Sequence, residues 1–442
     1  MKKKLVLIQL NELNFDLIKK YFLSKNLDIL KKISKNIINT NSETKYELLE
    51  PWIQWYSIYT GLRAEKHKVF RLGDVEKNKI NHNLIFEEIE NKGFSVGCVA
   101  PMNAKNKLRS PKYFVSDPWT KTRDSNDFFI KTTSKTISEF VNNNSSSIIS
   151  KKSYFYLILI FFRFVRVKKY FLFFKYFFYS NKKTWFKSIF LDAFIHEIHL
   201  SLLNKEKADF SSVFFNAGAH IQHHYLFNSI DFKKRNERNP SWYLKKKFDP
   251  ILDIATAYNL ILKDYFYLLH KKQYEIIIST ALSQSSNLRK EFYYRLNNHY
   301  EFLKNIGLKC KKVSPRMSRD FLIEFKNKKD LKEGCKIIKN VNLKNKPFFK
   351  VFEKKNNTLF VSLIYSSEIK KNDNIKSKDN RKIYLKDNVS FVAIKNGKHS
   401  SKGYLYISNS VKRDNKNLGN NINITKIFEL IINYFSKPIL KS

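Results

Sequence analysis

Three histidines, His220, His223 and His224, fall within five residues of one another in the segment NAGAHIQHHY. Neutral imidazole is the commonest protein ligand for Zn²⁺-like ions, and nitrogens at i and i+3 or i+4 can share one helical face. A further histidine, His399, stands between Gly397 and Gly403 in GKHSSKG. No Asp or Glu lies inside the first cluster, so a metal site built there must draw on other segments. The reading nominates His223, His399 and His220 as ligands of one divalent ion, Zn or Mn. Glu12 of QLNELNFD is nominated as the general base, with Asn11 and His220 beside it in the catalytic group. Amides and indoles complete the set: Trp52, Gln54 and Trp55 in EPWIQWYSIYTG, Asn216 and Gln222 in the histidine segment, and Gln284. Amides flanked by aromatic platforms suit sugar hydroxyls or a polar headgroup. Arg71 and Asp74 of VFRLGD, with Asp117 of SDPWT, are expected on the same rim.

These residues are far apart in the chain, and a parallel sheet is the structure that would collect them. In open parallel sheets, sites lie at the carboxyl ends of the strands. Leu5–Leu10 reads as a buried strand and runs straight into Asn11 and Glu12. Ser212–Asn216 reads as a second, ending at the histidine cluster. Tyr274–Thr280 reads as a third, followed by Ser283 and Gln284. Phe15–Phe22, Leu27–Ile37, Leu84–Asn91 and Leu252–Leu269 have helical spacing, and Phe94–Ala100 reads as another strand. This alternation predicts an α/β fold, a mostly parallel sheet flanked by helices. The polar run Asn142–Lys152 marks a boundary, and residues 131–207 read as a helical, aromatic-rich insertion. Residues 291–384 read as a small α+β portion. It includes Asp320–Phe325, a helix around Leu331–Ile338, hairpin strands in Phe348–Tyr365, and a polar, mobile loop at Ser366–Arg381. The core is then assembled from 1–130, 208–290 and 385–442, with strands at Val389–Ile394 and Tyr404–Ser408 and a closing helix at Ile424–Phe435.

The formal charge is +44, from 83 Lys and Arg against 39 Asp and Glu. The excess is mostly Lys and accompanies abundant Asn, Ile, Phe and Tyr, a composition that AT-rich codons produce. No helix-turn-helix, zinc-finger or ribonucleoprotein signature is present, so nucleic acid is not the expected partner. Three scattered cysteines exclude a disulfide framework and fit a reducing compartment. The run Leu5–Leu10 is too short for a secretion signal. The expected location is cytoplasmic, peripheral at the inner face of the membrane. The stretch Ser153–Tyr179 is dense in Phe and Tyr but broken by Arg163, Arg166, Lys168, Lys169 and Lys175. It is too interrupted to span a bilayer, and its mixture of aromatic and basic residues suits the headgroup layer of an anionic membrane or a cap over the core.

The order of these segments resembles the alkaline-phosphatase-like superfamily, in particular its type I phosphodiesterase/nucleotide pyrophosphatase and sulfatase-like branch. Members begin with a strand ending in Asp-Gly, here Asn11-Glu12, followed by a segment like FDLI. A Pro-containing nucleophile turn, a Thr-Gly pair and a downstream His follow, here about Pro51, Thr60-Gly61 and His67. Asp-x-x-x-His becomes Ala219 to His223, Ser-Asp-His-Gly becomes Ser279 to Leu282, and Gly-x-His is Gly397 and His399. The resemblance implies two adjacent metal ions. One would be held at Asn11, Pro51, Thr280 and Ala281, where no strong ligand stands. The other would be held at Ala219, His223 and His399, where two ligands of three remain. The two-metal phosphoryl or sulfuryl transfer of the superfamily is therefore not expected to operate unchanged. LNELNFD, YELLEPWIQW, VFRLGD and NAGAHIQHHYLFNS look like a divergent bacterial branch often met alongside surface-polysaccharide biosynthesis. The resemblance implies a metal-dependent hydrolase or transferase acting on a phosphorylated or substituted surface glycan or its lipid-linked precursor. The alternative is a catalytically degenerate member that binds glycan or nucleotide-sugar, or scaffolds polysaccharide biosynthesis.

Overall fold

The computed structural model describes residues 3–76, 80–143, 150–232, 239–315, 319–377, 379, 381–415 and 418–436. The described chain divides into two compact units, one of residues 1–286 and 397–442 and one of residues 287–396.

The first unit is built on an eight-stranded sheet. Its strands are β1 (Leu5–Leu10), β2 (Ile38–Asn41), β3 (Val96–Val99), β4 (Tyr113–Val115), β5 (Phe210–Phe215), β6 (Glu275–Ser279), β7 (Lys402–Ile407) and β8 (Asn421–Asn423). Their order is β8-β2-β7-β6-β1-β5-β3-β4. All pairings are parallel except those of β7, which runs antiparallel to β2 and β6. β1 is central, with Leu7 opposite Ser212 on one side and Ile277 on the other. A strand covered on both faces reads as a continuous apolar run, and all six residues of LVLIQL are buried.

This topology fixes where the chemistry collects. β1, β5 and β6 run in the same direction, so Asn11, Asn216 and Thr280 leave the sheet at one edge. β7 runs the other way, with Leu405 opposite Ser279. Its start lies at that same edge, and His399 arrives there just before the strand begins.

Helices cover the sheet. Those used below are α1 (Pro51–Thr60), α2 (Ile85–Asn91), α3 (Lys151–Phe164), α4 (Tyr170–Ser180), α5 (Phe186–Glu206), α6 (Ala217–Tyr225), α7 (Pro250–His270) and α8 (Lys426–Ser436). α1 starts with proline, whose missing N–H costs nothing at that position, and ends where Gly61 adopts a left-handed φ of 67°. α5 is tied to α7 by Arg166, which donates to Glu197 and Asp264, and by His196, 3.0 Å from Asp264. The buried Asp192 of α5 accepts from the backbone N–H groups of Asn216 and Ala217 at 3.1 and 2.8 Å, anchoring the first turn of α6. Burial pushes the Asp192 carboxyl up to about 7.

Among the described residues of 131–207, helices follow one another from Phe128–Asn143 through α3, α4 and α5. Residues 144–149 of the polar boundary run lie outside the described residues. The second unit has its own core around Phe302, Phe321, Phe348 and Phe349. Four antiparallel strands (Phe349–Lys355, Thr358–Leu363, Asp320–Glu324 and Lys312–Pro315) accompany the helix Lys328–Asn340. The segment read as a polar loop, 366–381, contains a strand, Asn374–Lys376, paired with Lys382–Tyr384. Ile375 opposite Ile383 gives this hairpin its buried face. Residues 378 and 380 lie outside the described residues.

Candidate metal centre

At the shared strand edge, Glu12 Oε2 lies 3.1 Å from His223 Nε2 and 3.3 Å from His399 Nε2. The two imidazole nitrogens are 3.3 Å apart. The three atoms form a nearly equilateral triangle. Around a tetrahedral ion with bonds of about 2.0–2.1 Å, ligand atoms are separated by roughly 3.3–3.4 Å. The triangle therefore matches one face of a coordination tetrahedron. No fourth His, Cys, Asp or Glu joins the group among the described residues. Glu12 is 2% exposed, whereas the side chains of His223 and His399 are 27% and 14% exposed. The two imidazoles thus form the solvent-facing side of the triangle.

Each of the three side chains is held by its element. The Glu12 backbone takes a left-handed φ of 56° as the chain leaves β1. Gln284 Nε2 donates to Glu12 Oε2 at 2.7 Å and to the Ala219 carbonyl at 3.0 Å. Asn11 Nδ2 donates to Glu12 Oε1 at 3.2 Å. Gln222 Nε2 donates to the Glu12 carbonyl at 2.9 Å, which fixes the turn itself. His223 Nδ1 faces the Gly397 carbonyl at 3.4 Å, and His399 Nδ1 lies 3.8 Å from Glu50 Oε2. With Nδ1 turned to an oxygen, Nε2 is the nitrogen presented to the centre. Burial works to raise the Glu12 carboxyl, but the charges of His399 and then His223, with their hydrogen bonds, outweigh it and hold the group below the usual carboxylate range.

Position 219, where the resemblance implies a carboxylate, is alanine in this chain, and the carboxylate beside His223 and His399 is that of Glu12. It comes from the end of β1 instead of the start of α6. The position of a second ion does not fit. The Asn11 oxygen accepts the Trp55 indole N–H at 2.8 Å, and its amide nitrogen donates to Asn216 at 2.8 Å. The Thr280 hydroxyl accepts from the Tyr404 N–H at 2.9 Å. Ala281 offers no side-chain ligand atom. The other described group with metal-ligand spacing, His196, Glu197 and Asp264, already has its two acids balanced by Arg166 and Lys169.

The remaining nominated residues fall into two sets. Asn11, Gln54, Trp55, Gln222 and Gln284 are buried and engaged in internal hydrogen bonds. Trp52 and Asn216 are half-buried, and Arg71 is exposed. His220 stands apart from the trio and is exposed, with its ring against His224 at 4.7 Å between centroids. Asp74 and Asp117 are buried acceptors of backbone N–H groups, from Phe70 and Arg71 in one case and Trp119 and Thr120 in the other. Two contributors escaped the sequence reading. Glu50 has one signal, its place directly before Pro51. Asp192 has none, because a lone acid in an apolar helix does not announce the helix end it serves.

No protein-family model and no curated protein matches this chain. Solved structures do resemble it. Murine ectonucleotide pyrophosphatase/phosphodiesterase 5 is 11% identical, with 99% of this chain and 96% of that chain covered and a TM-score of 0.41. Phosphonoacetate hydrolase from Sinorhizobium meliloti, in complex with phosphonoformate, is 10% identical, with 98% and 96% covered and a TM-score of 0.41. The alkaline phosphatase of the Antarctic bacterium TAB5 is 11% identical, with 99% of both chains covered and a TM-score of 0.41.

Proposed function

We propose that this chain is a mononuclear metal-dependent hydrolase or transferase whose substrate is a phosphorylated or otherwise substituted surface glycan or its lipid-linked precursor. The observation that carries the reading is the triangle of Glu12, His223 and His399. One carboxylate and two imidazoles suit Zn²⁺ or Mn²⁺. A divalent ion there would supply Lewis acidity toward a phosphoryl or similar oxygen.

The protein's own residues do the rest. Glu12, locked by Gln284 and Asn11, brings negative charge into a buried position. His223 and His399 hold their exposed edges toward the incoming substrate. Trp52 offers a half-buried indole, and Asn216 an amide, for the sugar portion. If the resemblance places the nucleophile at about Pro51, no side chain at that residue can form a covalent intermediate. Attack on the substrate therefore falls to water or to an acceptor hydroxyl entering from the open side. The same proline favours a second reading, a site that binds substituted glycan without turning it over.

Elemental mass spectrometry on untagged protein tests the first step. We expect about one equivalent of Zn or Mn in the wild type, lost in His399→Ala and Glu12→Gln. An unchanged metal content in both variants, or none in the wild type after incubation with excess Zn²⁺, would sink the proposal. Given one equivalent, hydrolysis of glycosyl phosphate mono- and diesters separates enzyme from binder. Turnover that disappears with the metal supports the first reading, and metal-dependent binding without turnover supports the second.

A further inference from the structure

Helices α3 and α4 each carry two apolar faces. On the inner face of α3, Ile160 and Phe164 are buried. On that of α4, Phe173 packs against Phe190 and Phe194 of α5, with centroids 5.1 and 6.4 Å apart. A helix at a protein–water boundary ordinarily turns polar residues outward. Here Phe155, Ile158 and Phe162 of α3, and Phe171, Phe174 and Phe178 of α4, are 55% to 82% exposed. In both helices the spacing is i, i+3, i+7, one face each. The stripes adjoin where Phe162 meets Tyr170 at 5.9 Å. At roughly 100 Å² apiece, these six side chains reach the upper end of the roughly 300–600 Å² that the largest patch of a typical monomer exposes.

The charge around the stripes is one-sided. Between Lys151 and Leu191 there are ten Lys and Arg and no Asp or Glu. Arg166, Lys169 and Lys183 face acids of α5 and α7 behind the pair. Lys152, Lys168 and Lys175 are exposed alongside the aromatic rings.

We propose that α3 and α4 form a foot that lies in the headgroup layer of an anionic membrane, with the aromatic stripes at the acyl boundary and the lysines on lipid phosphates. At 1.5 Å per residue the helices are about 21 and 17 Å long, short of the roughly 30 Å of a hydrocarbon core. No described helix is long and apolar enough to cross a membrane. The arrangement thus supports lying on the surface. Charge decides against a second copy as the occupant. An isologous contact would set this all-basic segment against itself, whereas an anionic surface neutralises it.

Co-sedimentation of the full chain with vesicles tests this. We expect binding to phosphatidylglycerol/phosphatidylcholine vesicles at least about tenfold tighter than to phosphatidylcholine alone, and weaker at high salt. The variant Phe155→Ser/Phe162→Ser/Phe171→Ser/Phe174→Ser, and separately Lys152→Glu/Lys168→Glu/Lys175→Glu, should each lower the anionic binding about tenfold or more. All these positions are exposed, so unchanged melting temperatures are expected to accompany the loss. Equal binding to both vesicle types, or wild-type binding by the aromatic variant, would overturn the proposal. So would a dimer in sedimentation velocity that the aromatic substitutions abolish while no vesicle binding is seen. A Phe171→Trp reporter adds a check that needs no loss of binding: its emission should shift to the blue on anionic vesicles, and an unshifted emission counts against the foot.

Discussion

Gly397 shows how narrowly the Glu12 carboxylate is held. A Cβ built at that position would sit 1.9 Å from Gln284 Oε1 and 2.9 Å from the Gln222 carbonyl. Gln284 is the side chain that donates to Glu12 Oε2, so crowding it loosens the ligand. Outer partners of metal ligands typically carry 10–100-fold in affinity. Gly397→Ala should weaken Zn²⁺ binding by about that factor in a chelator competition, and Gln284→Leu should do the same by removing the donor. If Gly397→Ala binds the ion as tightly as wild type, Gln284 does not position Glu12. At this scale the sequence disclosed residue types better than their arrangement. The histidines at 223 and 399 were legible from spacing and from the glycines around them. Their meeting with Glu12 followed from strand ends that share one side of the sheet, but the geometry that aims the carboxylate was not legible, because it depends on a left-handed turn after β1 and on an amide 272 residues away.

The first turn of α2 offers a prediction in which one helix end titrates. Glu87 Oε2 accepts the Leu84 N–H at 2.7 Å, the reciprocal half of a capping box. Its other oxygen is buried without a hydrogen-bond partner. Burial pushes the carboxyl from its ordinary 4.5 up to about 7. The folded chain therefore keeps this proton to about pH 7, while the unfolded chain releases it near 4.5. The stability linked to it is full below 4.5 and is lost as pH rises through 7. Glutamine can serve the same cap without ionising. Glu87→Gln should match the wild type near pH 4 and exceed it by roughly 1–3 kcal/mol at pH 8, read from urea midpoints across pH. A constant offset at every pH would show that Glu87 does not titrate this way. Among the elements, long apolar runs such as β1 and β6 were readable because burial on both faces leaves a compositional trace. The strand β2, INTN, was not. It is polar and partly exposed, and it is a strand because β7 and β8 pair with it on either side.

For the whole molecule, the alternation of strands and helices foretold a mostly parallel sheet, since each crossover helix leaves its own periodicity between apolar runs. The antiparallel insertion of β7 between β2 and β6 left no such trace, because strand direction is a property of connections rather than of composition. One connection carries a practical consequence. The chain departs for its second unit just after Gln284 and returns at Gly397, two residues whose atoms are in contact. Everything between, Asn287–Asn396, closes on a core of its own. Its two ends leave the first unit side by side, as the ends of a transplantable module do. Replacing 287–396 by about four Gly and Ser residues should leave a shortened protein that still unfolds cooperatively and binds Zn²⁺ as the full chain does. The excised segment, expressed alone, should show its own thermal transition. A shortened chain that fails to fold would mean the two units cannot be separated. Success would turn a protein of this length into two separable parts, one that keeps the Glu12, His223 and His399 site and one that can be exchanged.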